Sequence, residues 1–430
     1  MKQPIFAAIA LALLSSAGPS LALDSSISGF GTLGYARSDQ SFGYQRFITD
    51  RGTIKRDSVF GVQVDSKITN EFSLTAQAKV GPSTSKETGY AANISWAFLS
   101  YRPSNDLLLR AGKFRVPFYL HSETTDVGTT FDFARLPSEV YSQSPTTDFK
   151  GLQASKSWDL GGLEAVVDAY WGSARTNLRL WFRDDLLPIQ PAGAQLPKIG
   201  VEVRGLALTV RRDEDIFRAN YTHAIVTSHD ERLFSPTYPF VGIPGVPGVG
   251  YFQTVGDAAG KRIPVIPQIT IPLITLGADI KTQSGFRFVG EYGRRIVRDT
   301  DLGFDTAGAY LAVLRESGSW TPYLSYAVLR STARNRQFYA ALNGNSVPEF
   351  IPGAAFINAS QRAGADGAAT FDQASLAIGT SYSPSRTSRI KAEIQQVRIG
   401  EVSALVDAPP GSNVRHQGIR VLSLSYSVVF

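Results

Sequence analysis

Apolar and polar positions in this chain alternate; they do not recur every third or fourth residue. In the clearest stretch, Phe72, Leu74, Ala76, Ala78 and Val80 share one parity, and Ser73, Thr75, Gln77 and Lys79 share the other. Successive side chains of a strand point to opposite faces, so this stretch predicts a strand with one apolar and one polar face. The pattern recurs at 60–65, 163–171, 206–211, 217–222, 275–281, 286–295 and 390–395. It is sharpest at the end of the chain, where Leu422, Leu424, Tyr426, Val428 and Phe430 alternate with Ser423, Ser425 and Ser427.

The links between these segments alternate in length. Short links rich in Gly, Pro, Asn, Asp and Ser fall at 67–71, 103–106, 160–162, 212–215, 283–285, 317–319 and 384–387, a composition suited to tight hairpins. Longer links fall near 38–56, 82–92, 116–149, 173–199, 224–267, 296–306, 331–371 and 399–416. Seven short and eight long links separate sixteen strands, and an even number leaves both termini on the side of the short turns. Segments of about ten alternating residues, with short turns on one side and long loops on the other, predict an all-β, transmembrane antiparallel β-barrel of about 16 strands. Its apolar faces would meet lipid, and its polar faces would line a lumen.

Composition agrees with crossing a bilayer by strands. Of the 430 residues, 43% are hydrophobic and 19% charged, yet no later segment has the roughly 18 uninterrupted apolar residues of a membrane helix. The N-terminus reads as an export signal. Lys2 precedes an apolar core from Ile5 to Leu14, and Ser20-Leu21-Ala22 puts small residues at the cleavage positions. Residues 1–22 are therefore expected to be removed, leaving 23–430 as the barrel. The chain has no cysteine, which excludes thiol catalysis, disulfides and Cys-ligated metals. The +6 formal charge is too dispersed for a nucleic-acid surface.

Catalytic chemistry finds no support. Gly29-Phe30-Gly31-Thr32-Leu33-Gly34 has the spacing of a dinucleotide-binding loop, but that loop must open a helix, and no helical pattern follows. These residues read as the first strand. There is no G-x-S-x-G elbow and no H-E-x-x-H pair, and His121, His223, His229 and His416 are spaced for no metal cluster. No enzyme activity and no cofactor are expected.

Parity instead points to charge in the lumen. Lys79, Arg102, Arg110, Arg211, Arg218, Lys281, Arg287, Arg295, Arg389 and Lys391 fall on polar faces, against the acids Asp65, Glu164, Asp168, Asp279, Glu291 and Glu393. Lys113 and Arg115 stand where a strand runs into the third long link. That link, 116–149, carries His121, Glu123, Asp126, Asp132, Arg135 and Glu139. His121 reads most simply as a solvated loop residue, with a place at a narrowing as the sharper alternative.

Two sequence features resemble known proteins. The alternating last strand ending in Phe430 is similar to the C-terminal signature of bacterial outer-membrane proteins, which the barrel-assembly machinery recognises. The run Arg110-Ala111-Gly112-Lys113-Phe114-Arg115-Val116-Pro117-Phe118, with Ser375-Leu376-Ala377-Ile378-Gly379 leading to Lys391-Ala392-Glu393, resembles proteobacterial porins, more narrowly the phosphate-selective porin O/P type. The resemblance implies a 16-stranded homotrimer in the outer membrane of a Gram-negative bacterium, in contact with membrane lipid and lipopolysaccharide. It also implies a third loop folded into the barrel as the constriction, with acids facing wall bases. Small hydrophilic solutes would then pass, with a mild preference for anions. Phosphate specificity is not carried over. A barrel devoted to binding or adhesion through its long loops is the competing expectation.

Overall fold

The computed structural model describes residues 24–144, 146–229, 234–256 and 263–430; the expected signal peptide, 1–22, lies outside them. Sixteen strands close into one barrel. They are β1 (Asp24–Ser38), β2 (Val59–Lys67), β3 (Phe72–Pro82), β4 (Tyr90–Ser104), β5 (Leu107–Arg115), β6 (Asp148–Asp159), β7 (Leu163–Asn177) and β8 (Lys198–Arg212). The second half holds β9 (Asp215–Ser228), β10 (Gln268–Lys281), β11 (Phe286–Arg295), β12 (Thr306–Arg315), β13 (Trp320–Ser331), β14 (Phe371–Ser385), β15 (Ser388–Ser403) and β16 (Gly418–Val429). Each strand pairs antiparallel with its neighbours in sequence, and β1 closes against β16. Closure leaves no unpaired strand edge, the condition for crossing hydrocarbon with strands.

Burial is inverted relative to a water-soluble protein. Leu206, Leu311 and Ile378 are 56%, 60% and 63% exposed on the outer wall, while Ser423, Ser425 and Ser427 are buried inside. The expected short turns are all present. Gly161 and Gly162 both adopt positive φ in the β6–β7 turn, a conformation that a residue without Cβ enters at no steric cost. The glycine motif at 29–34 lies within β1 as expected. A Cβ on Gly29 would lie 2.4 Å from the ring of Phe430, so this glycine makes room for the last residue of the chain.

Two expectations change. The lumen is not polar throughout: Ile199, Val201 and Val203 of β8 and Val226 of β9 face inward and join an apolar cluster. The link between β13 and β14 holds two helices, α1 (Ala333–Gly344) and α2 (Ala354–Gly367). Thr332 caps α1, its side chain accepting a bond from Asn335 N. At the long-loop end, Gly43–Tyr44 of the first loop pairs with Val406–Asp407 of the last. Arg179 clamps the same region, donating to Glu87 and Asp407 at 2.7–2.9 Å.

Candidate constriction site

The loop between β5 and β6 lies inside the barrel, held by apolar packing. Its Val116, Phe118, Tyr119, Phe131, Phe133, Leu136 and Val140 are buried with wall residues such as Phe114, Phe149, Tyr310 and Tyr323. Phe133 meets the rings of Tyr310 and Tyr323 edge-on at 5.9 and 5.2 Å. Small wall residues let the loop approach. A Cβ on Gly277 would lie 2.8 Å from Leu120, and one on Gly308 2.1 Å from the Glu139 carbonyl oxygen.

Polar contacts then fix the loop to nearly every part of the wall. Arg218 of β9 donates to the carbonyl of Tyr119 at 2.6 Å. Glu291 of β11 accepts from Leu120 N at 2.7 Å and from the hydroxyls of Tyr141 and Tyr310. Lys79 of β3 and Arg115 of β5 both reach Asp126, at 2.6 and 2.9 Å. Asp132 accepts from Arg287 of β11 at 3.1 Å, Arg389 of β15 at 2.9 Å and Ser381 of β14 at 2.6 Å. Arg287 also pairs with Asp279. Arg135 is bidentate on Asp57, which precedes β2. Glu139 is fully buried and accepts from Gln373 of β14 at 2.9 Å. Arg295 donates to the carbonyls of Gln143 and Phe304. Lys391 lies over the Phe131 ring, 3.9 Å from its centre.

The residues picked out in the sequence therefore divide. Lys79, Arg115, Asp126, Asp132, Arg135, Glu139, Arg218, Arg287, Arg295 and Lys391 meet at loop 3. Glu123 stays half exposed, 3.9 Å from Arg218. Arg110 faces inward beside loop 3's root, over the ring of Phe98 and 3.5 Å from Gln153. Arg102 is exposed beside the β4–β5 turn, where it reaches the Asn105 carbonyl. Lys113 departs from expectation. Phe114 is buried within, so its neighbour points outward; Lys113 pairs in register with the exposed Ala97 and Lys150, and its ammonium donates to the Ile94 carbonyl. Arg115 ends the strand and still reaches Asp126 of the loop, so of the two bases only Lys113 stands on the outer side.

His121 is buried rather than solvated, its ring 5.7 Å from that of Phe131. Burial, reinforced by Arg287 and opposed by Asp279, with Arg218 and Lys391 also nearby, holds its pKa down at about 4. A solvated histidine takes a proton near about 6.5. The undocked loop thus binds the proton first, and the contribution of His121 to docking is complete above about pH 6.5 and lost as pH falls toward 4. Protection of the loop amides against hydrogen exchange, taken relative to the intrinsic rate at each pH, should fall over that window, and His121→Gln should flatten the response.

Sequence reasoning did not single out Asp57, Tyr141, Tyr310, Tyr323 or Gly308. The three tyrosines are polar-tipped aromatics whose hydroxyls serve carboxylates inside the wall. Tyr310 sits on the inward parity of β12, the only advance sign of its role. Asp57 lies in a loop with no parity to read.

No protein-family model and no curated protein matches the chain. Among solved structures it is similar to OmpT, an outer-membrane protein of Vibrio cholerae, at 12% identity and a TM-score of 0.49, covering 94% of this chain and 98% of that one. It is similar to an anion-selective porin from Comamonas acidovorans at 10% and 0.48, covering 95% and 100%. It is also similar to the outer-membrane channel DcaP of Acinetobacter baumannii at 12% and 0.49, covering 95% and 97%. These likenesses concern the shape of the chain alone.

Proposed function

We propose that the protein is an outer-membrane porin, a water-filled channel for small hydrophilic solutes with a mild preference for anions. The observation that carries this is the third loop, seated across the lumen of a closed barrel and tied to β3, β9, β11, β14 and β15 through charged and polar side chains. A purely structural barrel has no need of such a fixed, charged cross-member. Preference for anions rests on the wall bases that have no carboxylate at hydrogen-bond distance: Arg110 on Gln153 and the Phe98 ring, Arg295 on carbonyls, Lys391 on Phe131. It stays mild because Lys79, Arg115, Arg287 and Arg389 are neutralised by loop and wall acids, so little net field is left to filter ions. The phosphate-selective type would need a run of unpaired arginines, and most arginines here are engaged.

Reconstitution into planar bilayers should give discrete conductance steps, and a potassium chloride gradient should give a reversal potential of anion-selective sign. Absence of steps removes the channel, and a cation-selective sign removes the preference. A second reading, docking of a partner to the outer face, is favoured by the ordered cap formed from the Gly43–Tyr44/Val406–Asp407 pair, the Arg179 clamp and the two helices. A folded barrel without steps would support it.

A further inference from the structure

The long-loop mouth of the barrel is bridged from wall to wall. Loop 4 (178–197) joins β7 to β8, and loop 8 (404–417) joins β15 to β16. These strand pairs stand eight strands apart in a ring of sixteen, on opposite walls. Yet Arg179, two residues past the end of β7, donates to Asp407, four residues past the end of β15, at 2.8 and 2.9 Å. Loops rising straight off opposite walls of so wide a barrel would stay apart. Both therefore lean inward and meet over the lumen.

The bridge is a packed one. The hairpin of loop 4, Leu180–Phe182 paired with Gly193–Gln195, carries Trp181 Nε1 to the Ala408 carbonyl at 2.8 Å. Arg183 donates to Asp366 of α2 at 2.9 Å, to Asn343 of α1 at 2.7 Å and to the Ser412 carbonyl at 3.0 Å. Asp184 accepts from Gly411 N at 2.7 Å and from Arg362 of α2 at 3.2 Å. Phe182, Arg183 and Leu186 are buried, although they belong to a loop. The space left between the hairpin, α2 and loop 8 is about 40 Å³, room for a few waters and for no larger solute.

The bridge is fastened differently at its two ends. At the root, Leu178 N donates to the Pro197 carbonyl and the Asn177 side chain to the Leu196 carbonyl at 2.7 Å, so the two legs of loop 4 move as one flap. The far contacts are made by side chains, and some of them touch water: those of Arg179 and Glu87 are 18% and 32% exposed. Such pairs are individually weak, and loop contacts open far more readily than a closed ladder of strands. Loop 4 is thus the part of the mouth that gives way first.

We propose that loop 4 is a strap that closes the central mouth and swings clear to admit solute, a gate in series with loop 3. With the strap clear, loop 3 still sets the size of each conductance step; the strap sets how long the channel stays open. This deepens the porin reading and rests on it.

The native chain has no cysteine, so Arg179→Cys with Asp407→Cys introduces a single thiol pair. The substitutions also remove the latch. In planar bilayers the reduced variant should be open for a several-fold larger fraction of the time than the native protein. A short bifunctional methanethiosulfonate should then link the two loops, with the link read by mass spectrometry of a digest. Linking should abolish the open steps, and dithiothreitol should restore them. Arg183→Ala in the cysteine-free chain should also raise the open fraction, with step size unchanged. Linked protein that conducts as the reduced protein does overturns the strap and leaves the porin standing. Failure of the thiols to link does the same, because the loops then do not meet. A folded barrel that gives no steps, native, reduced or linked, overturns the porin reading and the strap with it.

Discussion

Asp132→Ala is expected to convert a weakly selective channel into a distinctly anion-selective one. Asp132 is the acid on which Arg287, Arg389 and Ser381 converge. Its loss leaves two guanidiniums facing the lumen, with Asp279 still holding part of one. Breaking a buried ion pair on one side costs about 3–5 kcal/mol. Here the guanidiniums of Arg287 and Arg389 are 21% and 23% exposed, so water relieves part of that, and the expected loss lies below this range. The barrel has its strand ladders and should survive, while the loop loosens. Reversal potentials in a salt gradient should move toward the chloride equilibrium potential, and Asp132→Asn should give the same direction. An unchanged reversal potential would mean that ions do not pass near Asp132.

Gly308→Leu should have the largest effect on conductance itself. Gly308 faces inward on β12, where the backbone of the short helix at Ser138–Tyr141 crosses it. With 2.1 Å between the position of an added Cβ and the Glu139 carbonyl oxygen, neither backbone can stay in place. The strand is held on both sides by ladders to β11 and β13, so the loop must yield. Displacing this helix also strips Gln373 from Glu139, leaving the carboxylate with only the long 3.4 Å bond from Ser138 of the same helix, which favours full release over a small shift. Single-channel conductance should rise by roughly twofold or more as the constriction opens. A variant that folds and conducts like the native protein would show that residues 138–141 are not part of the narrowing.

The fold was legible where one physical rule governed the sequence. A lipid-facing wall must present apolar side chains at every second position, and two-to-four-residue turns need Gly, Asp or Ser, so strand number, turn positions and the shared side of the termini could be read directly. The rule weakened where a second surface competed. Ile199, Val201 and Val203 face inward because loop 3 and its neighbours give them an apolar environment, so β8 lost its alternation at that end. Lys113 looked like a lumen charge because it borders a charged loop, yet parity alone, extended from the buried Phe114, places it outside. The helices at 333–344 and 354–367 escaped notice because they are rich in Ala, Asn and Gln and bury only a few side chains, such as Tyr339 and Leu342. In the constriction, charge was visible but pairing was not. Sequence shows that acids and bases are present; only the path of the loop shows that Asp126 and Asp132 each take two of the bases and so blunt the field.

That path has a mechanical side. A barrel wall is a single sheet thick and bends far more easily than it stretches. The loop inside this one presses on β9–β12 through its aromatic residues and glycine contacts, and pulls on β3, β14 and β15 through its ionic and hydrogen bonds. It works as spokes do in a wheel, setting the roundness of the rim against sideways pressure from crowded lipid. Cutting the spokes would widen the hole and also leave the rim free to flatten.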